Sequence, residues 1–416
     1  MKVYDADSHV WEGEHTFSDR YWDPRFKGRR PIVVESDPMG NLSFIIDGRA
    51  FPRPNGPFSA AGGNPVSKNG VPSPFFKQLV ASSVKKGFVD TLESAEFHTA
   101  KARLDQMDRE DVLVEVNYPS MLLTWPLTYD SDLACAIASA YNSWMADVSG
   151  QAPGRLKWVS VIEPSNVSWS CKEIERCKEL GAIAVMILGT VGDTQWDHPS
   201  LEPIFTTAAA CDLPIAVHIG YSSPALGSLY THHFNASTIP FSFSLLLGFH
   251  SIMCSGLLDR YPNLRVGFLE SGSRWVDFLA KRIGENSGLV ESRTSGNLRS
   301  RSAPVDEASI GGSGLFRPGG YNAELLPEEY IKRGQVFVNC EIDENQLPFI
   351  IKEYGEDFLI FASDIPHGHR LVDPVGKLTA RTDITEVAKR KIAIDNVARF
   401  YGLPVPVLEP AATAAG

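Results

Sequence analysis

Paired cysteines are missing from this chain. Its six cysteines, Cys135, Cys171, Cys177, Cys211, Cys254 and Cys340, are scattered through 416 residues without metal-type spacing. That pattern argues against a disulfide framework or a zinc finger and leaves reduced, mostly buried thiols. Long apolar runs are missing too. The most apolar stretches, 241–254 and 112–116, are short or broken by polar residues, and the N-terminus lacks a basic region followed by an apolar one. No membrane span is expected, and a cytoplasmic protein is. Positive charge is in deficit, with a formal net charge of −11, which opposes binding to nucleic acid or anionic lipid. The one basic cluster, Lys27-Gly28-Arg29-Arg30, reads as a solvated loop. No internal repeat is present.

With 43% hydrophobic residues, the chain can bury one large core or two smaller ones. Eight short β-branched or aromatic runs stand out, at 3–9, 112–118, 156–163, 183–188, 215–218, 264–269, 336–340 and 358–363. Near-continuous apolar runs suit parallel strands covered on both faces, and eight is the number a closed (β/α)8 barrel requires. Helices are expected between them, at 91–108, 131–149, 171–180, 203–210 and 384–401. Within the second, Ile137, Tyr141, Trp144, Met145 and Val148 recur in steps of three and four and give one apolar face. Asp383 is the expected N-cap of the last, with Glu386 as its capping-box partner.

The expected organisation is therefore an α/β chain whose residues 1–403 form one (β/α)8 TIM barrel. Two stretches rich in Gly, Pro, Ser and Asn interrupt the alternation. The first, 31–90, is an inserted excursion over the barrel mouth with short strands at 31–35 and 42–46; the second is 286–325. Residues 404–416 read as an extended tail.

Chemistry-bearing residues fall where the strands end. Asp7-Ser8-His9 closes the first run, His218 the fifth and Asp364 the eighth. Residues i and i+2 of a strand share a face, so Asp7 and His9 can grip one ion, and a barrel would bring His218 and Asp364 back to them. Two carboxylates and two imidazoles at one mouth point to a divalent metal and hence to an enzyme. Glu270 ends strand six and Glu341 strand seven; with Glu12 and His250 they are candidates for a second ion or for bracing the first. His367, three residues past Asp364, is placed to meet substrate or the groups that brace the ligands. His232-His233 resembles a metal pair, but adjacent residues point apart in extended chain, so a loop is expected there.

Taken in order, Asp7-Ser8-His9, His218, the segment 255–264, Glu270-Ser271-Gly272 and Ser363-Asp364-Ile365-Pro366-His367 resemble the amidohydrolase superfamily. More narrowly, they resemble the amidohydrolase-2 branch that includes aminocarboxymuconate-semialdehyde decarboxylase and related aromatic-acid decarboxylases. The resemblance implies a distorted barrel with its metal at the C-terminal strand ends. It places Asp7 and His9 as the strand-one pair, His218 as the strand-five ligand and Asp364 as a strand-eight ligand that also handles a proton. Two departures stand out. Glu270 occupies the strand-six end where related decarboxylases carry histidine, and Gly189 follows strand four where some binuclear relatives carry a carboxylated lysine.

The expected function is a metal-dependent hydrolase or nonoxidative decarboxylase acting on a small carboxylated or cyclic molecule. Asp364, Glu270 and His367 are its catalytic candidates, and zinc is the expected ion, with manganese or iron as alternatives. A homo-oligomer is expected, a hetero-oligomer being the other option. The rival readings are a dinuclear iron or manganese oxygenase and a noncatalytic subunit with a structural zinc. Charge counting adds a constraint. Asp7 and Asp364 already balance one divalent ion, so Glu12, Glu270 and Glu341 need a second metal, an arginine such as Arg49 or Arg53, or a protonated carboxylic acid.

Overall fold

In the computed structural model the eight runs form eight parallel strands. They are β1 (Val3–Val10), β2 (Val112–Pro119), β3 (Leu156–Val161), β4 (Ala184–Leu188), β5 (Ile215–His218), β6 (Val266–Leu269), β7 (Val336–Cys340) and β8 (Leu359–Phe361). Each pairs with the next in sequence order. The structure describes residues 1–35, 42–51, 67–68, 71–72, 92–230, 235, 237–287, 321–367 and 371–406. Every residue of β1, β5, β6 and β7 is buried, which is why these strands read as continuous apolar runs and not as alternating ones. The ring is closed between β8 and β1 by bonds of the flanking turn: Asp364 N–H donates to the Asp7 carbonyl (3.0 Å) and His9 N–H to the Ile365 carbonyl. The result is a nearly closed (β/α)8 barrel.

Helices cover the outside. The Ser131–Ser149 helix starts where Asp130 accepts hydrogen bonds from Asp132 N (3.1 Å) and Leu133 N (3.2 Å). Its predicted face, Ile137, Tyr141, Trp144, Met145 and Val148, is buried, each large side chain contributing roughly 1.5–3 kcal/mol. The 91–108 helix, by contrast, is two helices, Leu92–Glu96 and Ala100–Arg109. Phe97 takes a left-handed conformation between them (φ 51°) and is fully buried beside Trp144. Arg103 then donates to the Ser94 carbonyl (3.0 Å) and folds the short helix back on the longer one. The last helix also starts differently from expectation. Arg381 takes both oxygens of Asp383 (3.0 and 2.7 Å), so Thr385 caps instead, accepting from Ala388 N (3.0 Å).

Within the excursion, Ile32–Glu35, Leu42–Ile46 and Arg49–Phe51 form a three-stranded antiparallel sheet. Its second turn, Asp47-Gly48, has φ of 51° and 73°, the two positive values a tight hairpin demands. Most of the 286–325 stretch, the His232-His233 pair and Arg53 lie outside the described residues. No helix among the described residues is long and apolar enough to cross a membrane.

Gly189, which follows β4, sits against the Ser242–Cys254 helix. A Cβ there would run into the Ser244 carbonyl, and Gly248 of the same helix packs back on Gly189. Strand and helix approach too closely for any side chain. Gly189→Ala is therefore expected to destabilise the protein by about 3 kcal/mol, because a backbone clash has no rotamer escape; a chemical-denaturation midpoint equal to wild type would contradict this packing.

Candidate metal centre

Period-two alternation places Asp7 and His9 side by side at the mouth of the barrel, with His9 Nε2 3.4 Å from Asp7 Oδ1. His218, ending β5, brings its Nε2 to 3.3 Å from Asp7 Oδ2. Glu270, just past β6, brings Oε2 to 3.3 Å from His218 Nε2 and 3.7 Å from His9 Nε2. Asp364, past β8, lies 3.4 Å from His9 Nε2 and 2.6 Å from His367 Nδ1. Six predicted residues thus converge from β1, β5, β6 and β8. Glu270 and Asp364 do so in left-handed backbone, with φ of 60° and 57°, a conformation that residues with a Cβ adopt only where the surroundings impose it.

Both carboxylate oxygens of Asp7 and the Nε2 atoms of His9 and His218 are fully buried and make no hydrogen bond. Four such atoms facing one another carry a large desolvation cost unless a further partner joins them. The imidazoles are aimed by their other nitrogens: His9 Nδ1 donates to the Pro119 carbonyl and His218 Nδ1 to the Ile219 carbonyl, each at 2.8 Å. Each Nε2 lone pair therefore points at the cluster. Ligand-capable atoms of Asp7, His9 and His218 lie within 4.8 Å of one another, as do those of His9, Glu270, Asp364 and His367. This donor set fits a divalent cation.

Other predicted residues are placed differently. Glu12 is buried, but its oxygens accept from Ser120 N (3.1 Å), Met121 N (3.0 Å) and Leu122 N (3.2 Å). It braces the loop after β2, whose Ser120 hydroxyl contacts His367 Nε2 (3.0 Å), and offers nothing to an ion. His250 lies exposed on the Ser242–Cys254 helix, because Phe249, Ser251 and Ile252 take the barrel-facing positions. It cannot be a ligand there. Arg49 is not the compensating cation either; its guanidinium rests on the Tyr129 ring, 4.8 Å from the centroid. Glu341 lines a cavity of about 270 Å³ together with Asp7, Glu270, Asn339, Asp343 and Asp364. Burial, then the neighbouring Asp364, Glu344 and Glu270 carboxylates, push its pKa up to about 7. Among the described residues Glu341 is thus an acid that titrates near neutral pH and can relieve part of the excess charge.

Sequence reasoning missed the residues beneath the donors. Tyr118 packs its ring by both imidazoles, with centroids 6.0 Å from His9 and 5.3 Å from His218. Its hydroxyl meets that of Tyr401 (2.6 Å), which donates to the Ala6 carbonyl (2.6 Å). Asp5 lies two residues before Asp7, but a register shift between Asp5 and Ser8 sets Asp5 opposite Glu115 and His9 opposite Tyr118, so period-two spacing does not reveal it. Glu344 reaches Ser273 across 71 positions of sequence and leaves no local signal.

The metal-free site holds protons that a cation must displace. Burial pulls the His218 imidazole down, but Asp7 and Glu270 overrule it and lift its pKa to about 9. Below that pH the ring is protonated, and ligation needs its lone pair. Metal affinity should consequently rise with pH, about tenfold per unit between pH 6.5 and 8.5 if one proton leaves. Titrating metal-stripped protein with manganese across that range checks it; an affinity independent of pH would show that His218 is not displaced.

The described arrangement matches known proteins. The amidohydrolase family model aligns with residues 4–403. A 2-amino-3-carboxymuconate-6-semialdehyde decarboxylase of Dictyostelium discoideum is 23% identical over 309 residues, 72% of this chain and 76% of that protein. An amidohydrolase from Mycobacterium avium subsp. paratuberculosis superposes with a TM-score of 0.70 at 18% identity, covering 97% of this chain and 98% of that one. A dihydroxybenzoic acid decarboxylase from Polaromonas sp. JS666, solved with manganese and the inhibitor 2-nitroresorcinol, gives a TM-score of 0.57 at 19% identity, covering 77% and 92%.

Proposed function

This chain belongs to the amidohydrolase family, and from that premise we propose that it is a divalent-metal-dependent enzyme that decarboxylates a small ring-bearing carboxylic acid without an external oxidant. The observation that carries the reading is the set of orphaned, fully buried atoms of Asp7, His9 and His218 facing one another at the barrel mouth. Asp7, His9, His218, Glu270 and Asp364 would hold the ion. When bound, it supplies a Lewis acid that polarises a substrate oxygen. Three carboxylates to two imidazoles make an oxygen-rich set, which favours manganese over the four-coordinate zinc expected from the sequence. Manganese in the Polaromonas decarboxylase accords with that choice.

Decarboxylation breaks one carbon–carbon bond and leaves the electron pair on the ring carbon, which must then receive a proton. The ion pair of Asp364 and His367 (2.6 Å) stands beside the cavity and can hold that proton at His367 Nδ1. Ser120, at 3.0 Å from Nε2, fixes the ring, and stacking on His9 (centroids 4.0 Å apart) fixes its plane. The cavity, about 270 Å³, suits one substituted ring, since a cavity of roughly 150 Å³ already holds benzene. The dinuclear oxygenase reading is weaker on this geometry, because His250 and Glu12, two of the four groups offered to its second ion, are turned elsewhere.

Metal-stripped protein reloaded with manganese should release labelled carbon dioxide from members of a panel of hydroxy- and amino-substituted aromatic acids. His218→Ala should lose bound metal and lower turnover by at least about a hundredfold. Full turnover in the stripped enzyme would sink the metal reading. Cleavage of cyclic amides or lactones with no carbon dioxide release would replace decarboxylation by hydrolysis, and an inactive chain that holds one zinc would favour the noncatalytic subunit.

A further inference from the structure

The two ligand-bearing turns share one construction. Glu270 and Asp364 both sit in left-handed backbone (φ 60° and 57°), and each has a nearby serine that gives its N–H and its hydroxyl to a single buried carboxylate. After β6, Ser273 N donates to Glu344 Oε1 (2.8 Å) and Ser273 Oγ to Glu344 Oε2. After β8, Ser363 N donates to Asp5 Oδ1 (2.9 Å) and Ser363 Oγ to Asp5 Oδ2. In both cases the carboxylate comes from the next strand round the barrel: Glu344 follows β7, and Asp5 belongs to β1.

The surroundings repeat as well. Glu344 also accepts from Glu341 N (3.4 Å), and Asp5 from Asp7 N (3.3 Å), so each carboxylate ties the strained turn to a second residue of the site. Gly272, at φ 64°, is the only residue type that fits its position, because a Cβ would collide with Glu344 Oε1. Asn339 Oδ1 adds a bond from Ser271 N (3.2 Å). Neither Asp5 nor Glu344 is exposed to solvent. A fully buried carboxylate is a poor device for stability alone, since an apolar residue of similar size is as good or better. Two of them, each spent on a serine beside a strained ligand, call for another reason. Paired bonds between one carboxyl group and the N–H and hydroxyl of one serine fix both position and orientation of the turn.

We propose that Asp5 and Glu344 are positioning residues, paired carboxylate–serine clamps that hold Asp364 and Glu270 in left-handed backbone so that both converge on the cation. The inference rests on the reading above that these two carboxylates face a bound divalent ion. Glu344 acts through Glu270, and Asp5 through Asp364.

The test is a thermodynamic cycle read by manganese binding, with free manganese measured by its electron paramagnetic resonance signal and folding monitored by circular dichroism. Glu344→Gln and the milder Ser273→Ala should each weaken manganese binding about 10- to 100-fold, the loss typical of groups that orient ligands, with an unchanged far-ultraviolet spectrum. In a Glu270→Gln background the same changes should add nothing. Ser363→Ala should behave likewise against Asp364→Asn. Losses that add in the double variants, or wild-type affinity in Ser273→Ala and Ser363→Ala, would overturn the clamps. Should Glu344→Gln fail to fold, Ser273→Ala, which removes one hydroxyl, still decides. His218→Ala separates the two levels: if it keeps the metal, the metal reading itself fails, whereas if it loses the metal while the serine variants bind normally, only the clamps fall.

Discussion

The barrel closes on the residues that would hold its ion. Regular pairing between the last strands ends at Cys340 and Phe361, and β8 is three residues long, so the seam to β1 depends on its turn. There Asp364 N–H meets the Asp7 carbonyl at 3.0 Å, His9 N–H meets the Ile365 carbonyl, and Asp5 holds Ser363. First and last strands are thus joined through the backbone of Asp7, His9 and Asp364, whose side chains face one centre. A cation shared by Asp7 and Asp364 would cross-link the same seam from above. Binding and closure would then be coupled, because anything that favours the closed seam favours the donor geometry, and the reverse holds equally.

Electrostatics separates two layers of the barrel. Beneath the mouth, the buried Glu115 carboxylate has a permanent partner in Arg103 (3.4 Å). Arg103 also donates to the His9 carbonyl (2.5 Å) and so supports the metal-facing end of β1 with a fixed charge. At the mouth the balance is of another kind. The described side chains that line the cavity include five carboxylates and no lysine or arginine. Such a lining is costly to desolvate without a counter-charge. A fixed arginine would fill the space that substrate needs; a small divalent ion and titratable neighbours leave it open.

The fold was legible because both faces of each strand are covered, so that burial writes itself as eight uninterrupted apolar runs. The converging residues were legible for a related reason: a polar residue ending such a run has nowhere to go but the mouth. Asp7, His9, His218 and Asp364 all carry that mark. His250 does not, and its helix turns it outward once Phe249 and Ile252 face the core. Glu12 shows a different limit, since a carboxylate that binds an ion and one that accepts three backbone N–H groups look alike in sequence. The break at Phe97 was hidden because helical spacing continues across it, and only the burial of that ring against Trp144 decides for two helices. Glu344 was beyond reach, as its partner is set by the packing of two loops and not by any local pattern.

Glutamate at the end of strand six changes the chemistry that the cluster can support. An imidazole in that place would add a neutral donor, whereas Glu270 makes a third carboxylate and leaves a divalent ion outbalanced by one negative charge. An anionic substrate entering such a site would be repelled. In the metal-free site His367 supplies positive charge: burial pulls its imidazole down, but Asp364 and Glu270 together lift its pKa to about 10. The carboxylate that departs from the pattern of the related decarboxylases is therefore one of two that keep His367 protonated at neutral pH before a cation binds. In the decarboxylation proposed above, the proton held between Asp364 and His367 would be the one the ring carbon requires when carbon dioxide leaves.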